Sequence, residues 1–115
     1  MGTYIISGNL SRAQLHEIAR ERYGDMVKAV VDLKKGIMSL GPEMHADAET
    51  ELIEKGSMRE DLWGINLYPA ETGDSFLEFD SMINIRPLQG NRTRGVEDEN
   101  IRNQIKALIA RMIID

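Results

Sequence analysis

The stretch MVKAVVDLKKGIMSLG, residues 26–41, decides how the chain folds. Val27, Ala29, Val31 and Leu33 fall on one face by a period of two, and Lys28, Asp32 and Lys34 fall on the other. That is the pattern of a strand with one buried face. A two-residue turn at Lys35 and Gly36 pairs Leu33 with Met38 and Val31 with Leu40, keeping apolar residues opposite one another. Gly36 supplies only one of the two positive-φ positions such a turn wants.

A second hairpin follows at LWGINLYPAETGDSFLEFDSMINIRP, residues 62–87. A loop near residues 70–74 pairs Ile65 with Phe79 and Leu67 with Leu77. Trp63, Ile65, Leu67, Leu77, Phe79, Ile83 and Ile85 then share a buried face. The opposite face collects Asn66, Tyr68, Glu78, Asp80, Asn84 and Arg86. Pro69 and Pro87 close the strands, because proline has no N–H to give a ladder.

Helices flank the hairpins. At LSRAQL, Ser11 and Gln14 form a capping box, Leu10 and Leu15 a hydrophobic staple, and Gly24 is the stop. GPEMHADAETELIEKG has two readings: Pro42 opens a helix, or the strand runs on to about His45 and Asp47 caps a shorter helix. The second is the expectation, and Gly56 closes the helix in both. The last helix is capped by Asp98 and carries Ile101, Ile105, Leu108, Ile109, Met112 and Ile113 as one apolar stripe. The expected fold is α+β, an antiparallel sheet of two β-hairpins with helices packed on one face, in the order α-ββ-α-ββ-α. Residues 3–6 add a short strand. The 115 residues are read as a single domain, 1–115.

Composition narrows the function. There is no cysteine, which excludes disulfides, thiol catalysis and cysteine-ligated zinc. No apolar run is long enough to span a bilayer, so no membrane partner is expected. The start, MGTYIISGNLSRAQ, lacks a basic region before its short apolar run, and a cytoplasmic location is the expectation. A net charge of −5 disfavours general nucleic-acid binding.

Against that acidic background stands NIRPLQGNRTRG, residues 84–95, with Arg86, Arg92 and Arg94 and no acid. Arginine forks bind carboxylate or phosphate, loop N–H groups can cradle an anion, and a helix start lies just beyond. The opposing reading is that Arg92 or Arg94 pairs with the acids at 97–99, or with Glu78 or Asp80. Asn66 and Asn84 stand out because asparagine is disfavoured in strands, and Asn91 lies in the loop itself. The stretch matches neither a P-loop nor a dinucleotide fingerprint.

HADAE, residues 45–49, is the other cluster. His45 and Glu49 share a helix face only if the helix includes both, and with one helical His–Glu pair no metal site is expected. His45 as acid or base, oriented by Asp47 or Glu49, is the catalytic alternative. No cofactor is implied.

MVKAVVDLKKGIMSLG, HADAE, LWGINLYP and FDSMINIRPLQGNRTRGVED together resemble a small prokaryotic single-domain family known only as a domain of unknown function. The resemblance covers nearly the whole chain and implies no activity and no catalytic residue. The leading functional expectation is a binding module for a small anionic or phosphorylated ligand, or an RNA end, through Asn66, Asn84, Arg86, Asn91, Arg92 and Arg94. The alternatives are a metal-independent hydrolase or phosphodiesterase using His45, and a protein-interaction or homodimeric regulatory module. Whether the protein is an enzyme stays open from sequence alone.

Overall fold

In a computed structural model, residues 2–22 and 24–115 are described. The order is β1 (Tyr4–Ile6), β2 (Leu10–Ser11), α1 (Arg12–Arg22), β3 (Val27–Asp32), β4 (Ile37–Leu40), α2 (His45–Glu54), β5 (Leu62–Leu67), β6 (Leu77–Glu78), α3 (Glu99–Met112) and β7 (Ile113–Ile114), with short 3-10 turns between. Five strands make one antiparallel sheet in the order β1-β4-β3-β5-β6. The short strands β2 and β7 pair in parallel. The α+β architecture is the expected one. No helix among the described residues is long and apolar enough to cross a membrane.

The caps that begin α1 and α3 are where the sequence puts them. Gln14 N–H donates to Ser11 Oγ at 3.1 Å, and Ser11 N–H donates to Gln14 Oε1 at 2.9 Å. Asp98 accepts from Asn100 and Ile101 N–H at 2.8 and 3.2 Å. Leu15, Ile18 and Ala19 of α1 and Ile105, Leu108, Ile109 and Met112 of α3 bury against Val27, Ala29 and Val31 of β3, and Trp63, Ile65 and Leu67 of β5.

One detail differs from the sequence expectation: the helices do not all lie on one face. α2 covers the opposite face, where Ala48 and Leu52 pack with Val30 and Leu62. The strand pattern had hidden this, because Val30 interrupts the polar face of β3 and seeds that second, smaller core. Both faces of β3 and β5 are therefore buried.

The first hairpin pairs Val31 with Met38 and Ala29 with Leu40, a slide of two residues from the expected register. A slide of two preserves which residues face inward. Its cause is Asp32, 1% exposed. One carboxylate oxygen accepts from Lys34 and Lys35 N–H, both at 2.9 Å, and the other from Ser57 Oγ at 2.6 Å. This holds a four-residue turn in which only Gly36 takes a positive φ, of 66°. Lys35 is spared the left-handed conformation that a two-residue turn would impose.

The second hairpin keeps the expected register at Leu67 opposite Leu77, but β6 stops at Glu78. Ile65 and Phe79 are consequently not ladder partners. The chain turns through a 3-10 segment at Met82–Asn84, sending Ile83 to the smaller core and leaving Ile85 and Met82 exposed. The Asn84 amide takes over where β6 leaves off. Its Oδ1 accepts from Gly64 N–H at 2.8 Å and its Nδ2 donates to Gly64 O at 2.9 Å and Arg94 O at 2.9 Å. Gly64 permits this closeness, since a Cβ there would lie 2.5 Å from Ser81 Cβ.

Asn84→Ala strips partners from two buried backbone groups at once. It is expected to cost about 3 kcal/mol in a urea unfolding measurement, on the scale of buried groups left unpaired. A cost under about 0.5 kcal/mol, the range of an ordinary surface substitution, would mean that water or relaxation replaces the clamp.

Candidate functional site

The smaller core leaves a cleft of about 440 Å³ beside the start of α2, walled by β3, β5, β6 and the residues that follow β6. His45 reaches it from the first position of α2. That start is a correction to the expected element boundary: β4 ends at Leu40, and the helix begins at His45 with no side-chain cap at Met44. The reason is tertiary. His45, Ala48 and Leu52 recur at helical spacing on the buried side, and His45 Nε2–H donates to Ile65 O at 2.8 Å. That burial and bond outweigh the capping preference of Asp47, which lies exposed in the first turn of α2.

A carbonyl can only accept, so the neutral His45 ring carries its proton on Nε2 and leaves Nδ1 as an acceptor. Burial pushes its pKa below the usual histidine range. The Ile65 carbonyl, Asp80 and the Asn66 side chain oppose that shift, and Lys28 reinforces it.

Asn66 faces Lys28 across the β3–β5 ladder. Its Nδ2 donates to Glu78 Oε1 at 2.8 Å and Asp80 O at 3.3 Å, which fixes the amide orientation. Its Oδ1 is buried with no hydrogen-bond donor among the described residues, and the residue is 6% exposed. Glu78 Oε1 also accepts from Tyr68 O–H at 2.9 Å. Burial and the Glu78 carboxylate push the Tyr68 phenol up to about 12, further from the neutral range in which any tyrosine is already a donor. Arg94 Nε donates to Asp80 Oδ1 at 2.6 Å. Both partners are substantially exposed, and such a pair contributes at most about 1 kcal/mol. Met26, Met44 and Met82 supply apolar lining.

Of the residues singled out from sequence, the cleft unites His45, Asn66 and Arg94. The others serve elsewhere. Arg86 donates to Arg59 O and Leu62 O and lies over the Trp63 ring, 4.3 Å from its centroid. Asn91 donates to Asn84 O, Thr93 O and Gly95 O, and its Oδ1 accepts from Glu97 N–H at 2.8 Å. The Glu97 carboxylate accepts from the N–H groups of both Arg92 and Thr93. The loop does cradle an anion, and that anion is its own glutamate. Among the described residues Asp47 makes no hydrogen bond to His45, whose Nε2 goes to Ile65 O, and Glu49 faces Arg59, with 4.0 Å between charged atoms. Among the described residues no set of three or more His, Asp or Glu is grouped to hold a metal ion.

Glu78, Asp80 and Tyr68 were readable from sequence as members of the same polar face as Asn66, and their spacing is the signal that would have added them to the site. Lys28 was not, because the β3–β5 pairing joins different hairpins.

A family model described as "Protein of unknown function (DUF5674)" matches residues 4–112. The chain belongs to that family. The resemblance read from the sequence motifs is thus borne out, as an uncharacterised family spanning nearly the whole chain. No curated protein and no solved structure matches this DUF5674 domain.

The depressed His45 pKa has a consequence for stability. The unfolded chain protonates its histidine near 6.5, while the folded form resists until lower pH. The unfolded state therefore binds more protons in that window, and stability falls as pH drops below about 6.5. An NMR titration should place the His45 midpoint below 6.5, and His45→Gln should flatten this part of the pH–stability curve. A midpoint at or above 6.5 would contradict the buried neutral imidazole.

Proposed function

We infer that this protein is a binding module for a small polar ligand, taken up in the cleft between the start of α2 and strands β5 and β6. The observation that carries the reading is Asn66. A buried amide oxygen without a donor costs about 1–3 kcal/mol, and this one borders a concave space of the size that holds small ligands. A ligand donor would recover that cost. His45 and Tyr68, each held by a hydrogen bond to the protein, give the cleft fixed walls.

An anionic or phosphorylated ligand, or an RNA end, at residues 84–94 has less support. Arg86 Nη1 and Nη2 go to backbone carbonyls and its Nε is buried out of reach of a ligand, Arg94 is paired with Asp80, and the loop N–H pair holds Glu97. A hydrolase using His45 would need a carboxylate to orient the imidazole, and Ile65 O takes that place.

A protein-interaction role has one observation in its favour. Leu88 is fully exposed on a turn pinned by the Arg86–Asn91 backbone bonds, by Arg86 on Trp63 and by Gln89 Nε2 donating to Glu60 O. A rigid apolar tip is what an interface anchor requires. If it joins two copies, Leu88→Asp should convert a dimer to a monomer in size-exclusion chromatography with light scattering. A monomer already present at millimolar concentration would remove the homodimer reading.

For the cleft, a polar fragment set screened by ¹⁵N NMR should shift resonances at Lys28, His45, Asn66, Glu78 and Asp80 at millimolar concentrations. Asn66→Ala should weaken the best fragment at least tenfold while the circular dichroism spectrum is retained. No shifts from any fragment, or unchanged affinity in the variant, would remove the binding-module reading.

A further inference from the structure

The chemistry lining the cleft is unevenly divided between donors and acceptors. Asn66 Oδ1 is an acceptor with no donor, in a residue 94% removed from solvent by its 6% exposure. Beside it stand the Glu78 and Asp80 carboxylates. Among the described residues Glu78 accepts from Asn66 and Tyr68, both at Oε1, which leaves Oε2 as a second acceptor. The Asp80 carboxylate accepts from Arg94 at Oδ1. The neutral His45 ring adds an acceptor nitrogen, since its one N–H is spent on Ile65 O.

Among the donors that line the cleft, those of Asn66, Tyr68 and Arg94 Nε are committed, and Lys28 stands opposite Asn66 on β3. Asn66 Nδ2 uses its hydrogens on Glu78 and Asp80 O, Tyr68 O–H points at Glu78, and Arg94 Nε at Asp80. The Tyr68 phenol is protonated at neutral pH, as an ordinary tyrosine is, so it is not a further anion. A ligand that brings hydrogens and positive charge meets partners here. An anion meets the Glu78 and Asp80 carboxylates and finds its cations in Lys28 and in Arg94, the latter already paired with Asp80.

Resting on the binding-module reading above, we propose that the cleft selects an organic cation, an ammonium or amidinium head on a short apolar body. The head lies against Asn66 Oδ1 and Glu78, and the body against the methionines. Three donors on an ammonium match the convergent oxygens. Met44 and Met82, more than half exposed at 59% and 65%, offer an adaptable apolar surface for a hydrocarbon stem. A cation at this spot also gains from Glu78 charge in a partly desolvated setting, where pair interactions exceed those in open water.

The test is a ¹⁵N NMR titration of the full chain with four probes separately: n-butylammonium chloride, acetamide, sodium phosphate and magnesium chloride. n-Butylammonium is expected to shift Asn66, Glu78 and Asp80 resonances, including the Asn66 side-chain amide, at least tenfold more tightly than acetamide. Phosphate is expected to leave them unmoved. Glu78→Gln keeps an oxygen for Asn66 Nδ2 and Tyr68 and removes the charge, so it should weaken n-butylammonium at least tenfold with the fold intact. If phosphate or acetamide fills the cleft as well as n-butylammonium, or if Glu78→Gln changes nothing, the cation assignment fails and the binding module survives. Magnesium shifting the same residues in place of n-butylammonium would overturn the organic cation in favour of a metal. Silence from all four probes, with no hit from the wider fragment set, would remove both.

Discussion

Where β6 ends at Glu78, the backbone of Gly64 in β5 has lost its neighbouring strand, and the amide of Asn84 bonds to both of its groups. Much of the architecture on that side follows from this one substitution of side chain for strand. It demands a glycine at 64, because the 81–84 turn lies against the strand at a distance no Cβ tolerates. It fixes Arg94 O through the same amide nitrogen, and Arg94 O in turn accepts from Ser81 N–H at 2.9 Å. The turn, the returning loop and β5 are held as one unit, and the far wall of the cleft inherits its rigidity.

A second asparagine extends that unit. Asn91 spends its amide on three carbonyls of the loop and its oxygen on Glu97 N–H, next to the start of α3. Two buried primary amides therefore replace the regular ladder that this segment lacks. Buried polar groups of this kind are tolerable only when nearly every donor and acceptor is met. Asn84 and Asn91 satisfy that rule, and Asn66 departs from it at one oxygen. The same residue type thus does different work at three positions, and the contrast is what directs attention to the cleft.

Much of the fold was legible in the sequence because it rests on local chemistry. The Ser11–Gln14 box, the Asp98 cap and the Leu67–Leu77 pairing each depend on residues close in the chain. What was not legible depended on distant partners. The slide in the first hairpin needs Ser57 to complete the Asp32 network. The early start of α2 needs Ile65 O, and the placement of α2 on the far face needs Val30 and Leu62. The site was half legible. An asparagine in a strand signals a duty, yet its letter is the same whether the amide serves backbone, as at 84, or a cleft, as at 66. Clustered arginines likewise look alike whether they await a ligand or lie flat on Trp63.

The parallel pairing of β2 with β7 joins Leu10 to Ile113 and Ser11 to Ile114. Those residues flank α1 at its beginning and α3 at its end. On a ribosome, the groups that seal the start of α1 emerge about a hundred residues after it, and synthesis proceeds at roughly 5–20 residues per second. For several seconds the helix and the apolar stripe waiting for α3 have only part of their cover. Within this domain α1 therefore stands incompletely covered until the residues that follow α3 have emerged.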